Sequence, residues 1–408
     1  MRVQLWSYNY EPEPTGIGPV SKILAQGLVA RGHDVLVVSA HPHYPERAWG
    51  TRIVPYRERR NGIPVIRLPL WIGRDSASQR LRQEFSFMLA QSCAVPLLPK
   101  PEILISASPS FPALLPAIAN VRARQIPWIL WLQDILPDGA TTTGLVHEGP
   151  VLSTARWLER VAYSLADRIV VLSRSFTANL TSKAVPSHKI KLIYNPATRT
   201  PIVEPSFTGV EPSFASGCRV PLRVLSMGNI GFSQGLAPLV GALEQSSGAD
   251  DAQIELVITG SGVAAADVAA QIVSDRVKML GVVDDQRLED ELRRADIALV
   301  TQLYDGTDFN IPSKLMNFMA YGLPILAAVN PRGEVARIVR EADAGWVVDS
   351  SNPGLFPAKL LELVRERQDI EPRGRAALSY ALQHFTQDRF AEAFEQELLN
   401  VVAARKRS

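Results

Sequence analysis

Leu222-Arg223-Val224-Leu225-Ser226-Met227-Gly228-Asn229-Ile230-Gly231-Phe232-Ser233-Gln234-Gly235 opens the second half of the chain. Its first six residues form a mostly apolar run of the kind that is buried on both faces of a parallel sheet. A glycine-rich loop and a helix start follow, and this strand, loop, helix unit recurs downstream. Ile254 to Thr259, Val277 to Gly281, Ile297 to Val300, Pro324 to Val329 and Trp346 to Asp349 read as further strands with helix-length segments between them. Upstream, residues 196–221 carry Pro196, Pro201, Pro205, Gly209, Pro212, Gly217 and Pro221 with little periodicity, so 201–221 reads as a linker. Before it, Val3 to Tyr8, Val35 to Val38, Val65 to Leu68, Ile103 to Ile105, Trp128 to Leu132, Ile169 to Leu172 and Lys191 to Tyr194 are again apolar runs, and Val20 to Arg31 has helical spacing and stops at Gly32.

The sequence therefore predicts an α/β protein of two Rossmann-like parallel-sheet domains, residues 1–200 and 222–387, facing a central cleft at the carboxyl ends of their strands, where ligands are expected. A helix over about 388–405 places Phe390, Ala391, Phe394, Leu398, Val401 and Val402 on one face and is expected to pack back on the first domain.

Composition agrees. The 408 residues are 46% apolar and 21% charged, which describes folded globular material and excludes disordered or fibrous chains. Thirty prolines leave no apolar stretch long enough to span a bilayer. Met1-Arg2 leads directly into Val3-Gln4-Leu5 without a signal-type apolar region, so a cytoplasmic location is expected. Cys93 and Cys218 lack a C-x-x-C partner, which excludes a zinc ribbon or disulfide framework and reads as two packing thiols.

The net charge of +2 conceals +10 over residues 1–200 and −8 over 201–408. Nine arginines fall between Arg47 and Arg82, and the apolar segment from Glu84 to Pro99 follows them. That order suits docking to an anionic membrane surface, although a solvated basic face followed by a core helix reads the same way. No nucleic-acid motif accompanies the charge.

The loop from Tyr10 to Pro19 contains Gly16 and Gly18, but Ser21 stands where a dinucleotide fingerprint needs its third glycine, which disfavours NAD. These two glycines, Asn229, Gly231 and Gln234 in the loop after 227, and Gly260-Ser261-Gly262 allow backbone to approach a ligand at helix starts, as a phosphate requires. Each loop alone reads equally as a tight turn. Pro312 at a helix start, followed by Ser313 and Lys314, sets free N–H groups, a hydroxyl and an ammonium at one point. A cation in a first turn opposes the helix dipole unless an anion binds there. Asp134 ends an apolar strand, and Glu11, His41, His43 and Tyr44 lie on loops at the same edge. No D-x-D pair occurs: Asp284 and Asp285 are adjacent, and Asp305 and Asp308 are three apart, so neither a metal nor a cofactor is expected.

In order and spacing, Tyr8 to Gly18, Arg31-Gly32-His33-Asp34-Val35, His41-Pro42-His43-Tyr44-Pro45, Gln133-Asp134-Ile135-Leu136-Pro137-Asp138, Gly228 to Gly235, and Pro312-Ser313-Lys314 with Met319 to Pro324 form a pattern. It resembles the retaining GT-B glycosyltransferases of family 4, in particular bacterial exopolysaccharide and O-antigen enzymes typified by colanic-acid fucosyltransferases and N-acetylfucosaminyl transferases. The resemblance implies a UDP, GDP or dTDP sugar as donor and retention of anomeric configuration, with Asp134 expected near the transferred sugar and Glu11, His41, His43 and Tyr44 expected to meet the acceptor. Together with the charge split it implies a polyprenyl-diphosphate-linked saccharide acceptor and peripheral association with the inner face of the plasma membrane.

The family's G-R-x4-K-G clamp is replaced by Asn229 and Gln234, and its E-x7-E pair by Phe309 and Asn317. Asn317 keeps the capacity to bond a ribose hydroxyl, and Lys314 becomes the cation left for the diphosphate. Two other readings stay open: a nucleotide-sugar epimerase of the same fold, which relies on carboxylates and histidines where the second-domain loops carry no His, and a non-catalytic sugar-nucleotide binding protein that has lost the clamp.

Overall fold

The computed structural model describes residues 1–407 apart from 15, 45–48, 74–75, 109, 111, 136–148, 200–220, 247–252 and 305–310. Residues 201–220 of the expected linker, Cys218, Asp305, Asp308 and Phe309 thus lie outside the described residues. The chain forms two units, Met1–Thr198 with Gln387–Ser408, and Arg199–Thr386.

Unit 1 is built on β1 (Arg2–Ser7), β2 (Asp34–Ala40), β3 (Tyr56–Arg60), β4 (Ile63–Leu68), β5 (Ile103–Ser108), β6 (Trp128–Leu132), β7 (Arg168–Val171) and β8 (Ile190–Leu192). They form one sheet in the order β3-β4-β2-β1-β5-β6-β7-β8. Every pairing is parallel except β3 with β4. Helices α1 (Gly18–Ala30), α2 (Ala77–Ala94), α3 (Leu114–Arg124), α4 (Pro150–Leu165) and α5 (Arg174–Ser182) belong to the same unit. Leu5, Val37, Ile105, Ile129 and Trp131 are wholly buried, which is why the central strands read as continuous apolar runs.

The sequence reading passes over β3, because Tyr-Arg-Glu-Arg-Arg is charged and alternates exposed and half-buried positions, as suits an edge strand. Arg60 pairs with Ile63 across a two-residue turn in which Asn61 and Gly62 both adopt positive φ, 49° and 79°. Asn-Gly is the residue pair such a hairpin turn prefers.

Unit 2 holds β9 (Leu222–Met227), β10 (Ile254–Thr259), β11 (Val277–Gly281), β12 (Ile297–Thr301), β13 (Ile325–Val329) and β14 (Gly345–Asp349) in an all-parallel sheet ordered β11-β10-β9-β12-β13-β14. This is the doubly wound order: the chain steps outward from β9 to β11, then crosses back to β12 on the other side of β9 and continues to β14, which leaves a ligand crevice at the carboxyl ends between β9 and β12. Its helices are α6 (Leu236–Gln245), α7 (Ala265–Ala269), α8 (Asp285–Arg294), α9 (Ser313–Ala320), α10 (Glu334–Glu341), α11 (Leu355–Arg365) and α12 (Ile370–His384).

The last helix, α13 (Gln387–Arg407), returns to unit 1 and lies along α1. Phe390 and Phe394 bring their rings to 5.8 and 5.1 Å from Trp131, and Arg168 reaches the buried Glu397 at 2.7 Å. At the crossing with α1, a Cβ on Gly27 would sit 2.3 Å from the Ala391 Cβ. Gly27→Leu is therefore expected to lose about 1–3 kcal/mol by overpacking, read as a lower urea midpoint, and an unchanged midpoint would show that the two helices do not touch there.

Two expectations about packing need correction. Cys93 is exposed rather than packed, because it lies on the outward side of α2. Arg67, counted among the arginines of a basic surface, is wholly buried: its Nε donates to Glu58 Oε1 at 2.8 Å, Nη1 to the Ala40 carbonyl at 3.1 Å, and Nη2 to the Glu11 carbonyl. A guanidinium with that many acceptors can be desolvated without orphaned donors.

Candidate functional site

In unit 2 the loops leaving β9, β10 and β12 are joined to one another. Gly228 N–H donates to the Thr259 carbonyl at 2.9 Å, Ile230 N–H to the Ser261 carbonyl at 2.9 Å, and Leu303 N–H to the Ser233 carbonyl at 2.9 Å. Gly260, at φ +126°, lies so close that a Cβ there would be 1.8 Å from the Gly228 carbonyl oxygen. A Cβ on Gly262 would be 2.4 Å from the Ile230 carbonyl oxygen. These glycines exist because two backbones touch. Asn229, Ser261 and Ser313 are exposed on this rim, and Gly231 is buried beneath it.

The first turn of α9 borders the same loops. Lys314 Nζ donates to Gln234 Oε1 at 2.8 Å, which ties the helix start to the turn after β9. Lys314 is half-buried as a residue, yet burial of its ammonium pushes the pKa down to about 8. Pro312, the residue before the helix, offers no side-chain cap to the first N–H groups, so backbone donors and one desolvated ammonium face the same place. Asn317, 7% exposed, has its Oδ1 engaged by the Arg199 N–H at 3.3 Å, while the Arg199 guanidinium holds Asp285 at 2.7 Å.

The expectation of a helix start directly after each glycine loop holds only in part. A single 3-10 turn, Phe232–Gln234, intervenes before α6, with Gly235 at φ 62° between them, and α7 after Gly262 has five residues. The loops close on each other through backbone hydrogen bonds, which uses the residues that would otherwise start the helices.

In unit 1, Asp134 follows β6. Its Oδ1 accepts the Ile135 N–H at 2.9 Å, and burial outweighs that bond, pushing the carboxyl above its usual range. Gln133 and Asn195 exchange amide hydrogen bonds of 3.1 and 2.8 Å beside it. Gly16 has φ +64°, and a Cβ on Gly18, the first residue of α1, would be 2.8 Å from the Glu13 carbonyl oxygen.

The four acceptor candidates differ in access. Tyr44 is 39% exposed. Glu11 is half-buried, with Lys22 at 3.1 Å and Asn61 at 2.7 Å. His41 is buried between the Tyr56 hydroxyl and the Gly50 carbonyl, each at 3.1 Å, and His43 is wholly buried, with Nδ1 donating to the His41 carbonyl at 3.0 Å. The residue that orders this edge is one to which the sequence reading gives no role. Glu13 is 2% exposed, and its Oε1 accepts from Asn9 Nδ2 at 3.0 Å, His43 N–H at 3.1 Å and Tyr44 N–H at 3.0 Å. Its place in Glu-Pro-Glu-Pro-Thr-Gly is the one available signal, since a lone carboxylate in a turn does not announce two backbone donors 30 and 31 residues away.

Among the described residues no cluster of three or more His, Cys, Asp or Glu is arranged to hold a metal ion, and no helix is long and apolar enough to cross a membrane.

Known proteins share both the sequence and the architecture. Residues 15–196 match the glycosyl transferase 4-like domain and 221–366 the glycosyl transferases group 1 family. The chain is 27% identical to the putative colanic acid biosynthesis glycosyl transferase WcaI of Escherichia coli strain K12, over 79% of this chain and 82% of that protein. It is 25% identical to the probable glycosyltransferase WbjE of Pseudomonas aeruginosa, over 64% of this chain and 65% of that one. Among solved structures, Anabaena HepE in complex with UDP and glucose superimposes with a TM-score of 0.67 at 16% identity, covering 98% of this chain and 99% of that one. A sucrose-phosphate synthase from Thermosynechococcus elongatus gives 0.72 at 16% identity, with the same coverage. With a 4-like first half, a group 1 second half and two parallel-sheet units, the chain belongs to the GT-B glycosyltransferases of the family 4 type.

Proposed function

We propose that this glycosyltransferase moves a sugar, with retention of configuration, from a nucleoside-diphosphate donor held by unit 2 to a polyprenyl-diphosphate-linked saccharide in the assembly of an exopolysaccharide or O-antigen. The observation that carries the reading is the meeting of three strand-end loops with the Lys314 ammonium at the carboxyl edge of the second sheet. Two relatives add support: WcaI is a putative colanic acid biosynthesis glycosyl transferase, and AmsK of Erwinia amylovora is an amylovoran biosynthesis glycosyltransferase. HepE was crystallised with UDP and with UDP-glucose, which favours a UDP-sugar as the first donor to try.

Cleaving the anomeric C–O bond leaves negative charge on the diphosphate. Lys314, the Ser313 hydroxyl and the uncapped N–H groups of α9 would stabilise it in a partly dry site, together with the loops at Asn229, Gly231, Gln234, Gly260 and Ser261. The acceptor hydroxyl attacks from the face the diphosphate leaves, and its proton passes to the departing phosphate oxygen, so no separate base is required. Asp134, protonated more readily than an ordinary carboxyl, would orient a sugar hydroxyl, with Gly16 and Gly18 approaching the donor and Glu11 and Tyr44 nearest the acceptor. His41 and His43, being buried, would shape that edge from below. In this scheme the ammonium takes the part of a divalent ion, and transfer persists in EDTA. The enzyme would work at the cytoplasmic face of the inner membrane, its basic first half toward anionic lipid.

Thermal-shift measurements with UDP, GDP and dTDP, followed by transfer and hydrolysis assays on the matching sugars, test the reading. No stabilisation and no turnover across the set would end it, and binding without turnover would favour the non-catalytic sensor. Lys314 also gives a proton signature. With its pKa at about 8 in the free protein and raised by a bound diphosphate, binding at pH 8 is expected to take up about half a proton per site. Affinity should weaken as pH rises through that value. Calorimetry in buffers of different ionisation enthalpy measures the uptake, and Lys314→Met should abolish it.

A further inference from the structure

Glu13 is buried without the partner that other buried acids of its unit have. Glu159 holds Lys183 at 2.9 Å and Glu397 holds Arg168 at 2.7 Å. Among the described residues Glu13 has no lysine or arginine within ion-pair distance; His43 Nδ1, at 3.4 Å, is the one basic atom there, and Glu13 Oε2 makes no hydrogen bond. Taking a carboxylate out of water without a cation is expensive, and everything this one does is done by Oε1. That oxygen receives the backbone N–H groups of His43 and Tyr44, and the side-chain amide of Asn9.

Asn9 is the half-buried member of the set. Its Nδ2 lies 3.0 Å from Glu13 Oε1 and 3.4 Å from His43 Nε2. Glu13 Oε1, already taking two backbone N–H groups, can only accept. His43 Nδ1 donates to the His41 carbonyl, which leaves Nε2 of the neutral ring as an acceptor as well. Both neighbours call for hydrogens, so the NH2 group must face inward and the carbonyl oxygen is left over. Asn9 Oδ1 makes no hydrogen bond among the described residues. Chain neighbours apart, it is also the one described atom within 4 Å of the place a Cβ would take on Gly16, at 3.7 Å. The glycine, at φ +64°, thus leaves open ground beside a fixed and unengaged acceptor.

The chemistry of that acceptor selects its ligand. An amide oxygen accepts from a hydroxyl and repels a phosphate or carboxylate, so the group it suits is a neutral sugar and not a diphosphate. Tyr44, 39% exposed and tied through its N–H to the same Glu13 oxygen, adds an aromatic face to this edge. Aromatic surface with a few fixed polar atoms is the usual make-up of a small-molecule site.

We propose that Asn9 Oδ1 receives a sugar hydroxyl at the Gly16 loop, and that Glu13 is the positioning residue that turns the amide to meet it. The assignment rests on the sugar transfer proposed above. Donor and acceptor saccharides both offer hydroxyls, and they are told apart by which substrate loses affinity.

The test assays the full chain with the UDP-, GDP- or dTDP-sugar that the thermal-shift series selects, and with lipid extracted from membranes of the parent cell as acceptor. Asn9→Ala is expected to raise the KM of one substrate about threefold to tenfold, the loss of one neutral hydrogen bond. Turnover at saturation, the thermal midpoint and the affinity for the free nucleotide should not change. A higher donor KM places the hydroxyl on the donor sugar, and calorimetry should then show the same loss for the nucleotide sugar and none for the nucleotide. A higher acceptor KM places it on the acceptor. Glu13→Gln, which keeps an oxygen for the three donors, should behave like the wild type. Glu13→Leu frees the amide to turn and should raise the same KM as Asn9→Ala, with no further rise when the two are combined. It also strands two backbone N–H groups and is expected to lower the midpoint, so Asn9→Ala decides the matter. Unchanged KM values in Asn9→Ala, a loss confined to kcat, or a lowered midpoint with equal losses toward both substrates and the free nucleotide would overturn the proposal. Absence of transfer by the wild type would end the parent reading and this one with it, whereas wild-type transfer that Asn9→Ala leaves intact would end this one alone.

Discussion

Lys314→Ala is expected to lower transfer by about a hundredfold to a thousandfold, the loss usually seen when one preorganised donor to a developing negative charge is removed. The side chain is the cation that faces the loops after β9 and β10, and its fixed contact there is the Gln234 oxygen at 2.8 Å. A lysine whose folded pKa is lowered is a group whose charge the fold disfavours, so its loss should not weaken the fold near neutral pH. The variant is therefore expected to unfold at or above the wild-type midpoint while losing turnover, and these opposite movements separate an active-site role from a structural one. Lys314→Arg, which keeps the charge but needs room for a planar fork, should recover only part of the rate. Full turnover in Lys314→Ala would remove the residue from the site and leave the diphosphate to the backbone alone.

Gly260→Ala is expected to be among the most destabilising single-methyl changes in unit 2. The added carbon would stand 1.8 Å from the Gly228 carbonyl oxygen and 2.8 Å from its carbonyl carbon, both backbone atoms of the neighbouring loop, at φ +126°. Neither neighbour can swing away as a side-chain tip would, so the two loops must part, and a loss above about 3 kcal/mol follows from strain and broken loop contacts. Gly281→Ala supplies the comparison. It too has positive φ, +68°, but no atom lies within 4 Å, so its cost is the left-handed backbone alone, about 1–2 kcal/mol. Urea unfolding of the two variants separates conformational strain from collision, and equal midpoints would show that the loops are not in contact. Gly260→Ala should also lose nucleotide binding, because the same loops form the candidate phosphate cradle.

The fold was legible where burial is two-sided. Strands such as Trp128–Leu132 in unit 1 and Ile297–Thr301 in unit 2 have both faces covered, and continuous apolar sequence is the direct imprint of that burial. Strand β3 left no such imprint, since an edge strand of Tyr-Arg-Glu-Arg-Arg looks like a charged loop until the Asn61-Gly62 turn is given its weight. Helix α2 misled in the opposite sense: apolar residues on both sides read as a core helix or a docking element alike, and the structure divides them into an inner set at Phe87 and an outer set at Phe85. The glycines of the candidate donor site were visible as glycines, but the reason for them, contact between two loops distant in sequence, was not. Glu13 and Arg67 were invisible as buried groups because, beyond Asn9 and Glu58 nearby, their partners are backbone atoms 27 and 56 residues away for Arg67 and 30 and 31 for Glu13, and no local pattern encodes such separations.

Because α13 supplies Phe390, Phe394 and Leu398 to the core of the first unit, that unit cannot be finished when its own strands have left the ribosome. Translation must run through the whole second unit before Trp131 receives its covering, whereas the second unit has everything it needs by Thr386. Synthesis would thus produce a folded C-terminal half ahead of a completed N-terminal one, and a nascent chain arrested short of residue 390 should bind chaperones through the uncovered groove beside α1.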